Sequence, residues 1–319
     1  MPKNSISDIA QEISKSKSFL IFTHIFPDPD AIGSAFALAQ GLITLGKHAN
    51  VHIPQGIIPR MLDLVSTEID LASLDLSKHD FDYAIIVDTA NKERASGLMT
   101  GIKTINIDHH ESNDLWGDLN YIDATSPSST VIVAELLAEL GLKSLDSKIA
   151  NLLFAGLSDD TGSFKFSNAT PRAFKAAATF IEAGASPSDI ANRLYFSQKA
   201  NRIKLQAKAL QDLRFYLSGK VSLLTLTQAL LEECEASADD TDGLVDIARS
   251  VEGVEVAVFI RQNAEKWKVS LRSKSDNISV NAIANLFGGG GHPAAAGCTL
   301  TGDIKDVEKK IITSIGNFL

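Results

Sequence analysis

Three short apolar segments each end directly at a side chain that can bind a metal ion, and this repetition constrains the fold more than any other feature. The segments are Phe19–Thr23 before His24, Tyr83–Val87 before Asp88, and Thr104–Ile107 before Asp108-His109-His110. Short apolar segments of this kind are typical of buried strands. Because the carboxyl ends of parallel strands meet at one edge of a sheet, we expect these side chains to lie close together. Carboxylates and imidazoles are ligands of hard and borderline divalent cations.

The first part of the chain alternates strand-like and helix-like patterns. Besides the three segments above, Asn50–Ile53 has extended character, and helical spacing marks Ala31–Leu45, Val131–Leu140, Ser147–Leu157 and Thr170–Ala183. This alternation predicts an α/β fold, with a mostly parallel sheet and helices on both of its faces. We assign residues 1–185 to this domain.

A second, smaller domain is predicted after a helical linker at residues 186–213. Residues 214–319 read as an α+β domain with strands at Lys220–Thr227, Glu255–Arg261 and Trp267–Arg272, and helices at Leu244–Val251 and 304–318. The last two strands are expected to form a hairpin. A Gly-rich loop at 288–291 is expected to lead into the start of an Ala-rich helix.

Composition limits the class of protein. The chain has 319 residues, of which 45% are apolar and 22% charged, and its net charge is −9. So acidic a surface disfavours long nucleic-acid duplexes, and no apolar run reaches the ~18 residues of a membrane span. Without a secretory core at the N-terminus we expect a cytoplasmic protein. Cys234 and Cys298 are the only cysteines, so neither a disulfide framework nor a Cys-based zinc site is indicated.

The segment His24–Ser34 carries the first group of candidate ligands. Pro27 and Pro29 stiffen the turn that holds His24, Asp28 and Asp30, because each proline fixes its own φ. The ordinary alternative for Asp30 is an N-cap of the following helix, and for Asp88 a cap or turn residue. A further carboxylate, Asp160, follows the predicted helix that begins at Ser147, with Asp159 as its solvated neighbour.

Adjacent histidines on a loop point in different directions, so one can bind metal while the other faces substrate. Asp108 can accept a hydrogen bond from an imidazole N–H and fix its tautomer. A surface histidine pair is the alternative.

The glycines at 288–291 allow backbone N–H groups to approach an anion closely. The segment matches neither the dinucleotide-binding nor the P-loop pattern, and no Gly-x-Ser-x-Gly elbow is present. Arg272, followed by Ser273, is the best phosphate-binding candidate nearby, with a merely exposed strand end as the alternative.

Taken in order, these motifs resemble the DHH phosphoesterase family with its DHH-associated C-terminal domain. The matching residues are His24-x-x-Pro-Asp-x-Asp-Ala-x-Gly-Ser34, Asp88, Asp108-His109-His110, Asp160-Thr-Gly and Gly288–Gly297. The two-domain length is similar to that of the family's bacterial oligoribonuclease/pAp-phosphatase branch. Many members of that branch carry Gly where Pro29 stands here.

The resemblance implies two Mn²⁺ ions per active site, with Mg²⁺ or Co²⁺ as alternatives. It implies one ion held by His24, Asp28 and Asp88, and a second held by Asp30, Asp88, His109 and Asp160, with Asp88 bridging. The implied catalytic residues are His109, His110 and Asp88. Asp108 is implied to orient an imidazole of this set by a hydrogen bond. Substrate-binding residues are implied at Arg272, Ser273, Gly289, Gly290, Gly291 and His292.

The implied activity is hydrolysis of short single-stranded RNA to mononucleotides, and of 3′-phosphoadenosine 5′-phosphate (pAp) to AMP, by metal-activated water. Neither a long duplex nor a membrane is an expected partner, and homodimer formation is left open. A phosphodiesterase acting on cyclic dinucleotides or their linear products is the nearest alternative. Polyphosphate hydrolysis is a further one, and a catalytically silent nucleotide-binding regulator is the alternative from another class.

Overall fold

The chain forms two units, which a computed structural model describes over residues 3–53, 56–65, 81–95, 97–98, 101–275 and 277–319. Contacts within the chain divide it into unit 1, Met1–Ser197, and unit 2, Gln198–Leu319. The predicted linker at 186–213 contains the last helix of unit 1 and the first helix of unit 2. Its role as a linker stays a prediction.

Unit 1 contains a five-stranded parallel sheet in the order β2-β1-β3-β4-β5. Its strands are β1 (Ser18–Phe22), β2 (His48–His52), β3 (Tyr83–Val87), β4 (Thr104–Asp108) and β5 (Leu119–Ile122). Its helices are α1 (Ile6–Lys15), α2 (Pro29–Thr44), α3 (Ser129–Glu139), α4 (Ser147–Asp160), α5 (Pro171–Glu182) and α6 (Pro187–Leu194). The predicted parallel α/β sheet is confirmed.

The two faces of this sheet are covered differently. Phe19 and Ile21 of β1 point into the main core, where the helices of unit 1 pack. Leu20 and Phe22 point the other way, because successive strand residues alternate between faces. Within the described residues they join a smaller cluster with Trp116 and non-helical neighbours. The α-helices of the described residues pack on the face of Phe19 and Ile21.

Helix α2 is the central helix of unit 1. Asp28 caps it by accepting a hydrogen bond from the backbone N–H of Ala31, and Pro29 occupies the first turn, where no N–H is required. A Cβ on Gly33 would lie 2.5 Å from the carbonyl oxygen of Leu152 in α4. The glycine thus allows α2 and α4 to pack closely, which brings their polar ends together.

Unit 2 contains a six-stranded mixed sheet in the order β10-β11-β9-β8-β7-β6, antiparallel except for the β7–β8 pair. The strands are β6 (Arg214–Tyr216), β7 (Val221–Leu226), β8 (Val256–Asn263), β9 (Lys266–Ser273), β10 (Gly290–His292) and β11 (Ala295–Thr301). The helices are α7 (Ala200–Gln211), α8 (Gln228–Glu233), α9 (Leu244–Ser250), α10 (Val280–Asn285) and α11 (Ile304–Gly316). The predicted hairpin is β8–β9.

The prediction of an Ala-rich helix after the glycines is wrong. Gly290–His292 and Ala295–Thr301 pair as antiparallel strands instead. A Cβ on Gly289 would lie 2.2 Å from the carbonyl oxygen of Gly297, so the glycines permit close backbone approach within the sheet. Tertiary pairing outweighs the helix propensity of the short alanine run.

None of the helices among the described residues is both long enough and apolar enough to span a lipid bilayer.

Candidate metal centre

The three predicted ligand-bearing strands are neighbours in the sheet. β1 and β3 pair directly, and β4 lies on the far side of β3. The strand order reverses between β1 and β3, since the chain runs from β1 outward to β2 and then returns to the other side of β1. Such a switch point opens a crevice at the carboxyl ends of parallel strands. His24 and Asp88 stand at this crevice.

Asp88 lies at the centre of the candidate ligands and is only 3% exposed. Its Oδ2 is 3.5 Å from His24 Nε2, while its Oδ1 is 3.5 Å from His109 Nε2. The hydroxyl of Ser129 also donates to Oδ1 at 3.0 Å. The two oxygens of one carboxylate therefore face two separate groups of donors.

The backbone of Asp88 is itself unusual. Its φ is +54°, a left-handed conformation that non-glycine residues seldom adopt. Its N–H donates to the carbonyl of Ile107 at 3.0 Å, which ties this turn to β4. Such backbone strain is typical of functional sites and is sustained by the surrounding structure.

The first donor group consists of His24, Asp28 and Asp88, whose ligand atoms lie within 4.8 Å of one another. His24 Nε2 is 3.8 Å from Asp28 Oδ2. The other oxygen of Asp28, Oδ1, caps α2 at 3.0 Å from the Ala31 N–H. The N-cap function considered for Asp30 thus belongs to Asp28, and it leaves one oxygen of Asp28 directed toward His24.

The second donor group consists of Asp30, His109 and Asp160, again within 4.8 Å. His109 Nε2 is 3.2 Å from Asp160 Oδ2. Asp30 is fully buried and accepts hydrogen bonds from the N-terminus of α3, namely from the backbone N–H groups of Ser129 at 2.7 Å and Thr130 at 3.0 Å. The positive end of this helix favours the ionised carboxylate.

The histidines of both groups are oriented by backbone carbonyls. His24 Nδ1 lies 2.8 Å from the carbonyl oxygen of Ile25, and His109 Nδ1 lies 3.4 Å from that of Ser126. In the neutral tautomer that donates from Nδ1–H, Nε2 faces the carboxylates and is free to bind a cation. Metal-binding histidines are commonly held in this way.

Asp108 is fully buried behind the second histidine. Its Oδ1 lies 2.7 Å from His110 Nδ1 and accepts the backbone N–H of His109 at 2.8 Å. Its Oδ2 accepts from the amide of Asn113 at 2.7 Å. Asp108 therefore fixes the orientation of His110, whose Nδ1 is also 3.7 Å from Asp88 Oδ1.

The clustered carboxylates shift one another's titration. Burial, followed by the charge of Asp88, raises the pKa of Asp30 to about 7. Burial, followed by the charges of Asp30 and Asp88, raises the pKa of Asp160 well above its usual range. For His24 burial opposes protonation, but hydrogen bonds to Asp28 and Asp88 raise its pKa to about 10. The centre thus has an excess of negative charge that favours a bound cation.

The donor set fits divalent metal ions. All of its atoms are carboxylate oxygens or imidazole nitrogens, which bind hard and borderline divalent cations. Asp160 Oδ2 is buried, and the contact with His109 Nε2 at 3.2 Å does not have the geometry of a hydrogen bond. A buried carboxylate oxygen that accepts no hydrogen bond is costly, and a metal ligand bond would compensate it.

Asp159 differs from the solvated neighbour that we expected. It is half-buried, and burial, only partly offset by the positive charge of Arg60, raises its pKa to about 6. That part of the expectation is wrong, because the last turn of α4 is enclosed by its surroundings.

The predicted substrate-binding residues lie in unit 2. Arg272 of β9 pairs with Ala295 of β11, which pairs in turn with His292 of β10, so these residues form one row across the sheet. The side chain of His292 lies outside the described part of the chain.

Ser273 is 4% exposed and its hydroxyl donates to the carbonyl of Ser275 at 2.9 Å. The glycines of the same region have a packing reason, since a Cβ on Gly291 would lie 2.5 Å from the carbonyl oxygen of Ala295. A Cβ on Gly290 would instead meet Asn285 Oδ1 at 3.7 Å, an ordinary contact distance, so packing does not require glycine there.

Several residues at the centre were missed in the sequence. Ser129 and Thr130 contact Asp30, and Asn113 contacts Asp108. Arg94 Nη2 lies 3.2 Å from His24 Nδ1. The polar run Ser-Pro-Ser-Ser-Thr at the start of α3 is a helix-start signal, but nothing in it points to Asp30, which is about 100 residues away in the chain.

Family models match both parts of the chain. The model "DHH family, N-terminal domain" matches residues 18–157, and the model "DHHA1 domain" matches residues 224–318. The first range contains all of the candidate ligands except Asp160.

Curated relatives extend over almost the whole chain. "Bifunctional oligoribonuclease and PAP phosphatase NrnA" of Thermus thermophilus is 33% identical, with 92% of this chain and 88% of the relative covered. The protein of the same name from Bacillus subtilis is 31% identical, with 92% and 93% covered.

A solved structure shares the fold. The crystal structure of an exopolyphosphatase-related protein from Bacteroides fragilis superposes with a TM-score of 0.91 at 22% identity, covering 98% of this chain and 96% of that chain. The family models and the two relatives show that the chain belongs to the metal-dependent DHH phosphoesterase family and is a hydrolytic enzyme with DHH and DHHA1 domains.

Proposed function

We propose that this enzyme hydrolyses short single-stranded oligoribonucleotides to mononucleotides and pAp to AMP, with manganese as its metal. The observation that carries the proposal is the position of the Asp88 carboxylate between the two donor groups. Its Oδ2 lies 3.5 Å from His24 Nε2, and its Oδ1 lies 3.5 Å from His109 Nε2. A bridging carboxylate of this kind suits a pair of cations acting on one phosphate. The substrate class is supported by the names of the two relatives.

His24, Asp28 and Asp88 would hold one ion, and Asp30, Asp88, His109 and Asp160 the other. When bound, the ions would lower the pKa of a water molecule and polarise the phosphoryl oxygens. The chain's own residues supply the positions. Asp108 holds His110 so that its imidazole stands beside Asp88, 3.7 Å from Oδ1, where it would contact the phosphate.

Arg272 is proposed to bind a phosphate of the substrate in unit 2, together with the segment Gly289–His292. The guanidinium geometry suits bidentate contact with a phosphate. This assignment predicts a raised KM with little change in kcat when Arg272 is replaced by Gln.

The test is a substrate and metal screen of the purified full chain. Di-adenylate RNA, pAp, a 24-nucleotide RNA, cyclic di-AMP and inorganic polyphosphate would each be supplied with Mn²⁺, Mg²⁺ or Co²⁺. We expect turnover of di-adenylate and pAp, fastest with Mn²⁺. Asp88→Asn should remove this activity, whereas Asp189→Asn, the same change at an exposed position at the start of α6, should not.

Inertness toward both substrates with every metal would overturn the proposal. Faster turnover of cyclic di-AMP or polyphosphate would replace the substrate class and leave the metal centre standing.

A further inference from the structure

Phe26 is an exposed aromatic residue between two candidate metal ligands. It lies two positions from His24 and two from Asp28, and 79% of its surface is exposed. A stretch of two residues spans at most about 7 Å, so its Cα is within that distance of the Cα of each ligand residue. A single exposed phenylalanine is ordinary elsewhere on a surface, but this one borders the proposed reaction centre.

The loop holds Phe26 in an exposed position with a backbone conformation that is unfavourable for this residue type. The φ of Phe26 is +55°, a conformation that is rare for a bulky side chain. Its neighbour Pro27 is buried, as is Pro29. The large aromatic side chain of Phe26 is therefore exposed, while the smaller side chains of the two prolines are buried.

Both sides of Phe26 are fixed. The N–H of Ile25 donates to the carbonyl of Arg94 at 2.8 Å, and Asp28 is fixed by capping α2. Because the strain is maintained by anchored neighbours, the conformation belongs to the folded loop and is typical of a residue with a function.

We propose that Phe26 is the platform on which the nucleobase next to the reacting phosphate stacks. The inference rests on the proposed function, which puts the phosphate at the metal centre and leaves the attached base one ribose away from it. Aromatic side chains stack on any base, because every base has a π-face. This stacking would favour nucleotide esters over other small phosphate esters without selecting a particular base.

The first test compares two substrates that differ only in the base. Phe26→Ala should raise KM for di-adenylate by about 5- to 150-fold, the range observed for loss of one base–aromatic stack. It should leave kcat nearly unchanged. KM for an abasic dinucleotide with the same phosphodiester should not change. Phe26→Leu, which keeps apolar volume without a π-face, should resemble Phe26→Ala, and Phe26→Tyr should resemble the wild type.

The second test separates stacking from a structural role. Phe26→Gly relieves the left-handed backbone strain, so its Tm should equal or exceed that of the wild type, and its Mn²⁺ affinity should be unchanged while KM rises. In Phe26→Trp, AMP should quench the added indole fluorescence and ribose 5-phosphate should not.

Equal KM changes for the adenylate and abasic substrates, or no change for either, would overturn the role of Phe26. So would a loss of Tm or of Mn²⁺ affinity in Phe26→Gly. Wild-type protein inert toward di-adenylate would instead count against the proposed function itself, so the two failures are distinguishable.

Discussion

At the scale of the residue, several candidate ligands have one polar side-chain atom bound to the backbone and the other directed toward the candidate centre. Asp28, His24 and His109 each use one polar atom to contact the backbone and direct the other toward a neighbouring ligand. Such pre-orientation reduces the conformational entropy lost when a metal binds. The candidate ligands could be named from the sequence, but these supporting contacts could not, because they depend on the folded path of the loops.

Asp108 offers a direct prediction at this scale. Asp108→Asn replaces one carboxylate oxygen by an amide NH₂ group. This NH₂ group would face either the imidazole of His110 or the side-chain amide NH₂ of Asn113, and one of the two hydrogen bonds would be lost. We expect kcat to fall about 10- to 100-fold, the usual effect of removing a group that orients a metal-site residue. Both proposed metal sites should still fill in a Mn²⁺ titration.

The matched control is Asp118→Asn, which makes the same change near the opposite end of β4. Asp118 accepts from the N–H and hydroxyl of Thr104. We expect its kcat to equal that of the wild type. A similar loss in both variants would mean that β4 as a whole, and not the orientation of His110, determines the rate.

At the scale of the element, helix contacts position the acidic ends of α2 and α4. A Cβ on Gly156 of α4 would lie 2.7 Å from Asp30 Oδ1 and 2.5 Å from the Thr130 methyl group. Gly156→Ala would normally favour a helix. Here we expect unfolding to require about 1–3 kcal/mol less free energy, because the added carbon overpacks the contact.

Gly316→Ala provides the control, since its Cβ would meet only Leu217 at ordinary contact distances of 3.6 and 3.8 Å. We expect this change to be neutral or to stabilise by up to about 1 kcal/mol. Urea unfolding of both variants measures the difference. Equal stability changes would show that the α2–α4 contact relaxes without cost.

Unit 2 contains an ion pair whose pH dependence can be predicted. Glu308 of α11 accepts hydrogen bonds from Arg214 at 2.7 and 2.6 Å and from Thr225 at 2.6 Å. Burial opposes ionisation, but these hydrogen bonds outweigh it and lower the pKa of Glu308 from its ordinary value of 4.5. Its contribution to stability is therefore present above pH 4.5 and is lost as the pH falls through the lowered value.

Glu308→Gln should reduce the free energy of unfolding of unit 2 by about 1.5–3 kcal/mol at neutral pH. The difference from the wild type should shrink as the pH falls below 4.5 and through the lowered pKa of Glu308, which denaturant titrations at several pH values can measure. Glu255→Gln removes a more exposed pair with Lys220 and should cost less than about 1 kcal/mol. A pH-independent difference at Glu308 would contradict the assignment.

At the scale of the whole molecule, each unit has a hydrophobic core of its own. The candidate metal ligands all lie in unit 1. Metal binding to the folded state should therefore stabilise unit 1 alone, by about 2.7 kcal/mol at a free metal concentration 100 times Kd.

Removal of metal by a chelator should lower the Tm of the unit 1 transition in calorimetry and leave that of unit 2 unchanged. Asp88→Asn should abolish the metal-dependent shift. An equal shift of both transitions would indicate that the units unfold as one.

From the sequence alone, we predicted the parallel α/β sheet of unit 1, an α+β second domain and the candidate ligands. This was possible because apolar periodicity fixes elements locally, and strands that end in acidic or imidazole side chains are visible in the sequence. The folded chain was needed to see that Asp28 caps α2, that Asp30 accepts hydrogen bonds from the N-terminus of α3, and that the alanines after the glycines form a strand. These outcomes depend on partners distant in the chain, whose approach no local pattern encodes. The outward, left-handed position of Phe26 is of the same kind, because anchored neighbours impose it.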